Sequence, residues 1–414
     1  MIYVGIIGFG VVGSGVAEVI AMNAQKIERH LGQELSVKRI LDIRKFDNHP
    51  FSDRMTVDPD VFFGDEDISI VVEAVGGVGI AYDYTVRALS SGRTVVTSNK
   101  ELVSTHGVEL MQLSVRCGCS YLFEASVGGG IPIIRPLHRC LAANRIMTIT
   151  GILNGTTNYI LSRMAESEID FDHALLRAKE KGYAEQDPST DIEGVDTQRK
   201  IAILSSIAMN GAYVDPKEIH TEGISSIGVI DIEYARALGH KIKLLAIFEN
   251  PNDREARILV APHLVSSDDP LAVADGVYNA IFVYGNALGG AMFYGKGAGK
   301  YATASAVVGD ILDGALHRGR NAHITPWYYA ETRVVSPFED KQVKALIRVS
   351  GRPDIETIAR YFPGTTVDAV PFINEKESAF IVGKEGVLTE RELQKAVSNL
   401  SGFISKIRIY TSER

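Results

Sequence analysis

Apolar residues open the chain as a short run, Tyr3 to Ile7, and then recur at helical spacing at Val16, Val19 and Ile20. Ser36 to Leu41 and the almost unbroken Ile68 to Val75 predict two further strands. Tyr82 to Leu89 predicts a helix, Thr94 to Thr97 a strand, Val103 to Val115 a helix and Tyr121 to Phe123 a strand. Continuous apolar strands alternating with helices predict an α/β fold whose parallel sheet is covered on both faces. Ligands bind such sheets at the carboxyl ends of the strands.

The pattern then changes. Arg145 to Leu153 predicts a strand, Asn154 to Asn158 a link, and Tyr159 to Met164 and Phe171 to Lys181 helices. A further helix, with Asp191 as its cap, runs through Lys200 into the apolar segment Ile201 to Met209. Lys241–Phe248, Arg257–Ala261 and Val277–Tyr284 predict strands of a mixed α+β second domain. Residues 319–341 are less regular and predict a linker. Beyond it come a strand (Val343–Val349), a helix (Ile355–Tyr361), two strands (Thr366–Pro371, Ser378–Val382), a helix (Thr389–Leu400) and a strand (Ile404–Ile409). That βαββαβ order is ferredoxin-like.

Composition narrows the class. The 414 residues suit two or three domains, and a 45% hydrophobic, 23% charged chain can bury a core. A formal net charge of -8 argues against a nucleic-acid surface or an anionic membrane as partner. Cys117, Cys119 and Cys140 have no clustered histidine to complete a metal site, so they read as reduced thiols of a cytoplasmic protein. The start MIYVGIIGFG lacks a signal-peptide pattern, and no apolar run is long enough for a bilayer.

Gly8-Phe9-Gly10-Val11-Val12-Gly13 follows the first strand and opens the first helix. In that context G-x-G-x-x-G is a dinucleotide fingerprint. One glycine makes the tight turn, one admits the pyrophosphate and one lets helix and strand pack, while the helix start supplies N–H groups for the anion. Asp42 ends the second strand and suits the ribose hydroxyls of NAD. Arg44 and Lys45 follow and suit the 2′-phosphate of NADP, and these residues do not choose between the two cofactors. Gly76-Gly77 and Ser98-Asn99-Lys100 end two more strands, which places Lys100 at the pocket edge.

Glu124 to Pro132 carries three successive glycines ahead of a predicted helix with Pro132 at its first position. It reads as a close backbone approach, an interdomain hinge, or both. Gly155 and Thr156 form a helix start whose N–H groups and hydroxyls suit a substrate carboxylate, plain helix capping, or both. The most charged stretch runs from Gly182 to Lys200. It holds Glu185, Asp187, Asp191, Glu193 and Asp196 and ends on Arg199 and Lys200. The spacing of a calcium loop is absent. Asp196 and Lys200 share a helix face, and an apolar run begins directly after Lys200, so a plain solvated face fits poorly. A lysine among carboxylates beside a cofactor domain fits acid–base work on an oxygen, with the carboxylates holding an ammonium.

The run from Ala178 to Lys200, AKEKGYAEQDPSTDIEGVDTQRK, resembles the signature of homoserine dehydrogenases. GFGVVG, Ser98–Lys100, EASVGGGIP (Glu124–Pro132), ILNGTTNYI (Ile152–Ile160) and GKGAGKYATASAVVGDI (Gly295–Ile311) extend the resemblance over most of the chain. It implies reversible oxidation of L-homoserine to L-aspartate 4-semialdehyde with NADP or NAD. It implies Lys200 as the prime acid–base candidate and Lys100 as a second catalytic lysine beside the same oxygen, with the choice of which moves the proton left open, and Glu185, Asp191, Thr156 and Gly155 as homoserine-binding residues. Asp196 would orient the lysine, and Gly297 lies in the segment that returns to the cofactor domain. It also implies a Na+ or K+ site formed mostly by backbone at Glu124, Val127, Gly129 and Ile131. The implied organisation is a Rossmann domain at 1–130 completed by 296–318, a substrate and dimerisation domain at 131–295, a linker at 319–341 and a C-terminal domain at 342–414. The last resembles an ACT domain, with threonine as candidate effector and oligomerisation as the alternative. Asp354 stands where that turn usually has glycine. A homodimer or homotetramer is expected, and the early glycine motif leads us to expect the monofunctional form. Two readings compete: a non-catalytic NAD(P)-binding regulator, and a dehydrogenase of another hydroxy amino acid.

A free lysine, with a pKa of ~10.4, is a better acid than base at neutral pH. Two neighbouring lysines would assist each other's deprotonation. We expect a more alkaline optimum for oxidation than for reduction, and identical pH–rate profiles in the two directions would count against a lysine acid–base.

Overall fold

The computed structural model describes all residues except Lys45, Asp47, 318–324, Phe372, Asn374, Val387 and 412–414. Lys45 and part of the predicted linker therefore lie outside the described residues. The chain divides into two units. The first comprises Met1–Arg145, Ala202–Pro216 and Phe293–Thr332, and the second comprises Ile146–Ile201, Lys217–Met292 and Arg333–Arg414.

In the first unit the apolar runs form strands β1 (Ile2–Ile7), β2 (Leu35–Leu41), β3 (Met55–Thr56), β4 (Ile68–Glu73), β5 (Thr94–Thr97) and β6 (Tyr121–Leu122). They make one sheet in the order β3-β2-β1-β4-β5-β6, with every pairing parallel. The chain reverses its direction of travel across the sheet between β1 and β4, the place where doubly wound sheets open a ligand crevice. Helices Val11–Met22 and Lys300–Leu316 cover one face. Val16, Ala17 and Ile20 pack with Ala304, Val307 and Ile311 over β1, β2 and β4. Gly15 lets these helices touch, because a Cβ there would lie 2.9 Å from Lys300 Cγ.

In the second unit β7 (Ile146–Ile152), β8 (His220–Thr221), β9 (His240–Glu249), β10 (Arg257–Ser266), β11 (Tyr278–Gly285) and the first half of β12 (Gly289–Lys296) are followed by β13 (Ala345–Ser350), β14 (Thr365–Val370), β15 (Glu377–Gly386) and β16 (Phe403–Ile409). All ten belong to one mixed sheet, in the order β12-β11-β7-β9-β10-β16-β13-β15-β14, with β8 added on β10. The C-terminal strands thus extend the middle sheet. The join is short: only His263–Arg408 and Leu264–Ile409 pair, in parallel, between β10 and β16. The βαββαβ order holds, with helices Ile355–Ala359 and Glu390–Asn399 burying Ile358 and Leu393 against Ile347, Val349, Phe380 and Val382.

The sequence pattern missed β12. Its glycines lack the apolar run of a strand, and its residues alternate between exposed and half-buried. Of the predicted linker, residues 325–329 pack in the first unit. Trp327 is 1% exposed, with its ring 5.7 Å from that of Phe123. Gly107 faces this ring, and a Cβ on it would lie 2.6 Å from Trp327 Cζ3. Gly107→Ala should therefore destabilise the first unit by about 1–3 kcal/mol. Chemical denaturation followed by the fluorescence of this single tryptophan measures it, and an unchanged midpoint would show that the ring has room to give.

Candidate functional site

The fingerprint glycines do different work. Gly8 has φ +89, and a Cβ on it would lie 2.6 Å from Ala74 O, where β1 and β4 end side by side. A Cβ on Gly13 would collide with Gly8 O, so the first helix could not seat on its strand. At Gly10, the residue before helix Val11–Met22, the nearest atom to a Cβ is Arg44 Nη2 at 3.9 Å. The outer two glycines satisfy the chain itself, and the middle one leaves backbone open to a ligand at a helix N-terminus. Phe9 is buried edge-on to Phe46. Its N–H donates to Asp42 Oδ2 at 2.6 Å, which ties the turn to the end of β2.

Arg44 completes the hold on Asp42. Its Nε and backbone N donate to Oδ1 at 3.0 and 2.8 Å, and Nη2 donates to Oδ2 at 2.9 Å. These bonds hold the Asp42 carboxyl down to about 2 against the opposing effect of burial. A cavity of ≈ 440 Å³ lies here, lined by Gly8, Gly10, Asp42, Arg44, Val75 and Tyr84 among others. Ile43, Val57 and Ile80 also line it, and each is exposed over nearly half its surface or more.

At the ends of β4 and β5 a buried carboxylate sets the loops. Glu73 accepts from Thr97 Oγ1 at 2.6 Å and from Val75 N at 2.8 Å, and burial pushes its carboxyl up. Asn99 donates to Gly77 O at 2.6 Å, and its Oδ1 accepts from Leu102 N as the cap of helix Lys100–Arg116. Ser98 lies between these anchors, Gly76 in the loop they hold, and Lys100 in the first helical turn.

The segment from Glu124 to Ile131 is buried apart from Gly130. The Glu124 carboxylate is already engaged: Oε1 accepts from Ile133 N and Ile134 N at 2.6 and 2.9 Å, and Oε2 from Arg135 N at 2.7 Å. It caps the helix Ile134–His138, so Pro132 precedes that helix by two residues and is not its first residue. Glu124 N donates to Asp310 Oδ2 at 2.8 Å. The Asp310 carboxyl is pushed up to about 7 by burial, against the pull of Arg135. A Cβ on Gly129 would collide with Gly297 O, so the two glycine segments touch.

In the second unit the lysine and carboxylates form one cluster. Lys200, 9% exposed, donates to Leu153 O at 2.8 Å and to Asp196 Oδ2 at 2.7 Å. Asn154 Nδ2 bridges Asp191 Oδ1 at 2.7 Å and Asp196 Oδ2 at 2.9 Å. Asn154 Oδ1 accepts from Thr157 N, capping a helix that runs from Gly155 to Ser167. That helix starts earlier than its apolar periodicity indicated, so Gly155 and Thr156 lie in its first turn. The Thr156 hydroxyl is spent on Tyr183 O at 2.7 Å. The predicted single helix beyond Asp191 is two, Ser189–Ile192 and Val195–Ala208. They are broken at Gly194, where φ is +81, and Asp191 sits inside the first as a helical residue and not as a cap.

The family model described as homoserine dehydrogenase matches residues 132–312, and the one described as homoserine dehydrogenase, NAD binding domain, matches residues 8–124. The chain is 36% identical over 402 residues to a homoserine dehydrogenase of Neisseria gonorrhoeae, covering 95% of this chain and 88% of the relative. It is 44% identical over 317 residues to one of Synechocystis, covering 75% and 72%. The chain belongs to the homoserine dehydrogenase family. Among solved structures, a homoserine dehydrogenase from Thiobacillus denitrificans superimposes with a TM-score of 0.91 at 34% identity, covering 99% of this chain and 98% of that one. A hyperthermophilic archaeal homoserine dehydrogenase in complex with NADPH matches with a TM-score of 0.65 at 31% identity, over 76% of this chain and 98% of that one.

As a family member the chain is an oxidoreductase with an NAD(P)-binding α/β domain. No helix among the described residues is long and apolar enough to cross a membrane. The structure brings Asp191, Asp196, Lys200, Gly155 and Thr156 to one place. It leaves Glu185 exposed on the loop after helix Phe171–Glu180, with no side-chain bond to the cluster among the described residues. Sequence reading passed over Asn154 and Glu73. For Asn154 the signal was present, since an asparagine just before Gly-Thr-Thr is a preferred N-cap. Asn154→Ser should keep the cap but lose the bridge between the carboxylates, and withdrawing a donor from the buried Asp196 should cost about 1–3 kcal/mol of stability. We expect a modestly lowered melting midpoint, a chain that still folds, and a lower kcat/KM for homoserine; a kcat/KM equal to that of the parent would show that the bridge is not used.

Proposed function

We propose that the second unit binds L-homoserine by its three polar groups and that Lys200 moves the hydroxyl proton. The observation that carries this is the environment of Lys200. It is buried, two of its three N–H groups are held by Leu153 O and Asp196, and one remains for a substrate oxygen. In reduction of the semialdehyde, the Lys200 ammonium donates a proton to the carbonyl oxygen as it becomes the hydroxyl. In oxidation the neutral amine takes that proton back. Asp196 fixes the position of Nζ and balances its charge. Asp191, with Oδ1 on Asn154, has Oδ2 to offer the substrate ammonium, and Glu185 would join it on closure of its loop. The N–H groups of Gly155 and Thr156 receive the substrate carboxylate; the Thr156 hydroxyl does not, being engaged already. NAD(P), when bound, accepts or supplies the hydride.

The first unit holds that cofactor by the residues Gly8 to Gly13, with the pyrophosphate at Gly10 and the adenine against Ile43, Val57 and Ile80. Asp42 and Arg44 meet the ribose. NAD would take up Asp42 with its hydroxyls, whereas the phosphate of NADP would take up Arg44. For Na+ or K+, no donor among the described residues bonds the carbonyls of Val127, Gly129 or Ile131. These buried acceptors fit a monovalent ion held by backbone, while the Glu124 carboxylate is committed elsewhere. Beyond residue 341 the strand order β16-β13-β15-β14 supports the ACT reading. Asp354 replaces the usual glycine and caps helix Ile355–Ala359 through Thr357 N at 2.7 Å. Threonine is the effector proposed for this domain.

Reduced-nicotinamide absorbance, with L-homoserine and NAD or NADP in separate cuvettes, tests the reading. A rise with homoserine and not with serine or threonine is expected, and Arg44→Ala should slow the NADP reaction more than the NAD reaction. Added threonine should slow turnover if the C-terminal domain is regulatory. Cofactor binding without turnover would favour a regulator, and turnover of serine or threonine would favour a broader hydroxy-amino-acid dehydrogenase.

A further inference from the structure

The segment from Ile219 to Ile224 lies between the lysine cluster and the C-terminal strands, all within the second unit. On one side it grips the two helices that carry the carboxylates. Ile224 N donates to Ile192 O at 2.9 Å, and Gln198 Nε2 donates to Ile219 O at 3.1 Å and Thr221 Oγ1 at 2.9 Å. The approach is as close as chain allows: a Cβ on Gly223 would collide with Ile192 O and lie 2.7 Å from Glu193 Cα, and one on Gly194 would lie 3.0 Å from Thr221 Cγ2. Ile192 to Gly194 is the break between Asp191 and Asp196, and Gln198 stands between Asp196 and Lys200. The segment therefore sets how the two carboxylates face each other.

On the other side the same segment is held by β16. Arg408 donates to both Glu222 oxygens, Nη1 to Oε2 at 2.6 Å and Nη2 to Oε1 at 2.7 Å. Arg408 is 3% exposed and also pairs with Glu390, at 2.6 Å from Nη2 and 3.1 Å from Nε. His220 Nε2 reaches Glu222 Oε1 at 2.8 Å, with its ring stacked on Phe338 at 3.7 Å, and Lys406 Nζ lies 3.7 Å from the same oxygen. Burial opposes ionisation of Glu222, yet the Arg408 bonds outweigh it and hold the carboxyl well below the usual range. Bidentate pairs with a buried guanidinium and a half-buried carboxylate fix geometry more tightly than fully exposed pairs.

We propose that Ile219–Ile224 is a strap that carries the position of the C-terminal strand β16 to the carboxylates beside Lys200, with Glu222 and Gln198 as its positioning residues. The proposal rests on the reading of that cluster as the homoserine site. Neither residue meets the substrate; both act through Asp191 and Asp196.

Steady-state kinetics of the full-length chain, varying homoserine and cofactor separately, test it. Glu222→Ala should raise the homoserine KM about tenfold and leave the cofactor KM unchanged, a cost in line with a small misplacement of binding groups. Glu222→Gln, which keeps the shape and one acceptor, should fall between. Gln198→Leu, cutting the strap at its other end, should reproduce the selective rise, and it decides the matter if Glu222→Ala does not fold. A lowered melting midpoint with an unchanged homoserine KM in these variants would make the strap merely structural and overturn the proposal. A parent enzyme that binds cofactor but does not oxidise homoserine would overturn the site reading itself, and the strap's role with it.

Discussion

Burying Lys200 is the constraint from which the arrangement of the second unit follows. An ammonium removed from water needs an anion and a full set of acceptors. Asp196 provides the anion, and the carbonyl at the end of β7 provides another acceptor. Asp196 is buried too, and Asp191 brings a second negative charge close by. Asn154 resolves that by donating to both. Its other side-chain atom caps the helix whose first-turn N–H groups are proposed to receive the substrate carboxylate. One asparagine thus links helix capping with charge balance, so this cluster is built as a unit.

The first unit meets the opposite requirement. It leaves backbone uncovered at Gly10, at a helix N-terminus open to a ligand, and it does so with a rigid surround. Gly8 and Gly13 close the chain upon itself, Asp42 draws Phe9 toward the end of β2, and Glu73 with Thr97 and Asn99 fixes the neighbouring loops. The open Gly10 is therefore presented on a fixed frame, and little ordering cost is left for the cofactor to meet on binding.

Much of this was legible in the sequence. Strands β1, β4 and β5 are apolar runs, and their order of appearance with intervening helices implied the parallel sheet. The pairing of Asp196 with Lys200 followed from their spacing of four, whereas Asp191 read as a helix cap in the same charged stretch, and only the family resemblance brought it and homoserine to the cluster. What escaped depended on partners distant in sequence. The capping role of the Glu124 carboxylate had no local signal, because it rests on the N–H groups of Ile133, Ile134 and Arg135, nine to eleven residues away. The break at Gly194 has no local signal beyond one glycine, because the contact that demands it comes from Thr221. Helix Gly155–Ser167 begins with polar residues, so its apolar periodicity starts a turn late. Strand β12 alternates between solvent and a half-buried face and carries too many glycines to read as a strand.

The two-residue pairing of β10 with β16 has a consequence for how the chain is divided. The outer edge of β10 is closed in two pieces, by β8 at Leu259 and Val260 and by β16 at His263 and Leu264. An uncovered strand edge is a template for another chain. A version cut before β13 would therefore expose an apolar β10 edge together with a buried histidine, His263, and would tend to self-associate instead of yielding a clean, shorter enzyme. In this chain the last strand covers part of that edge, a structural tie to the middle sheet that holds whether or not its domain binds an effector.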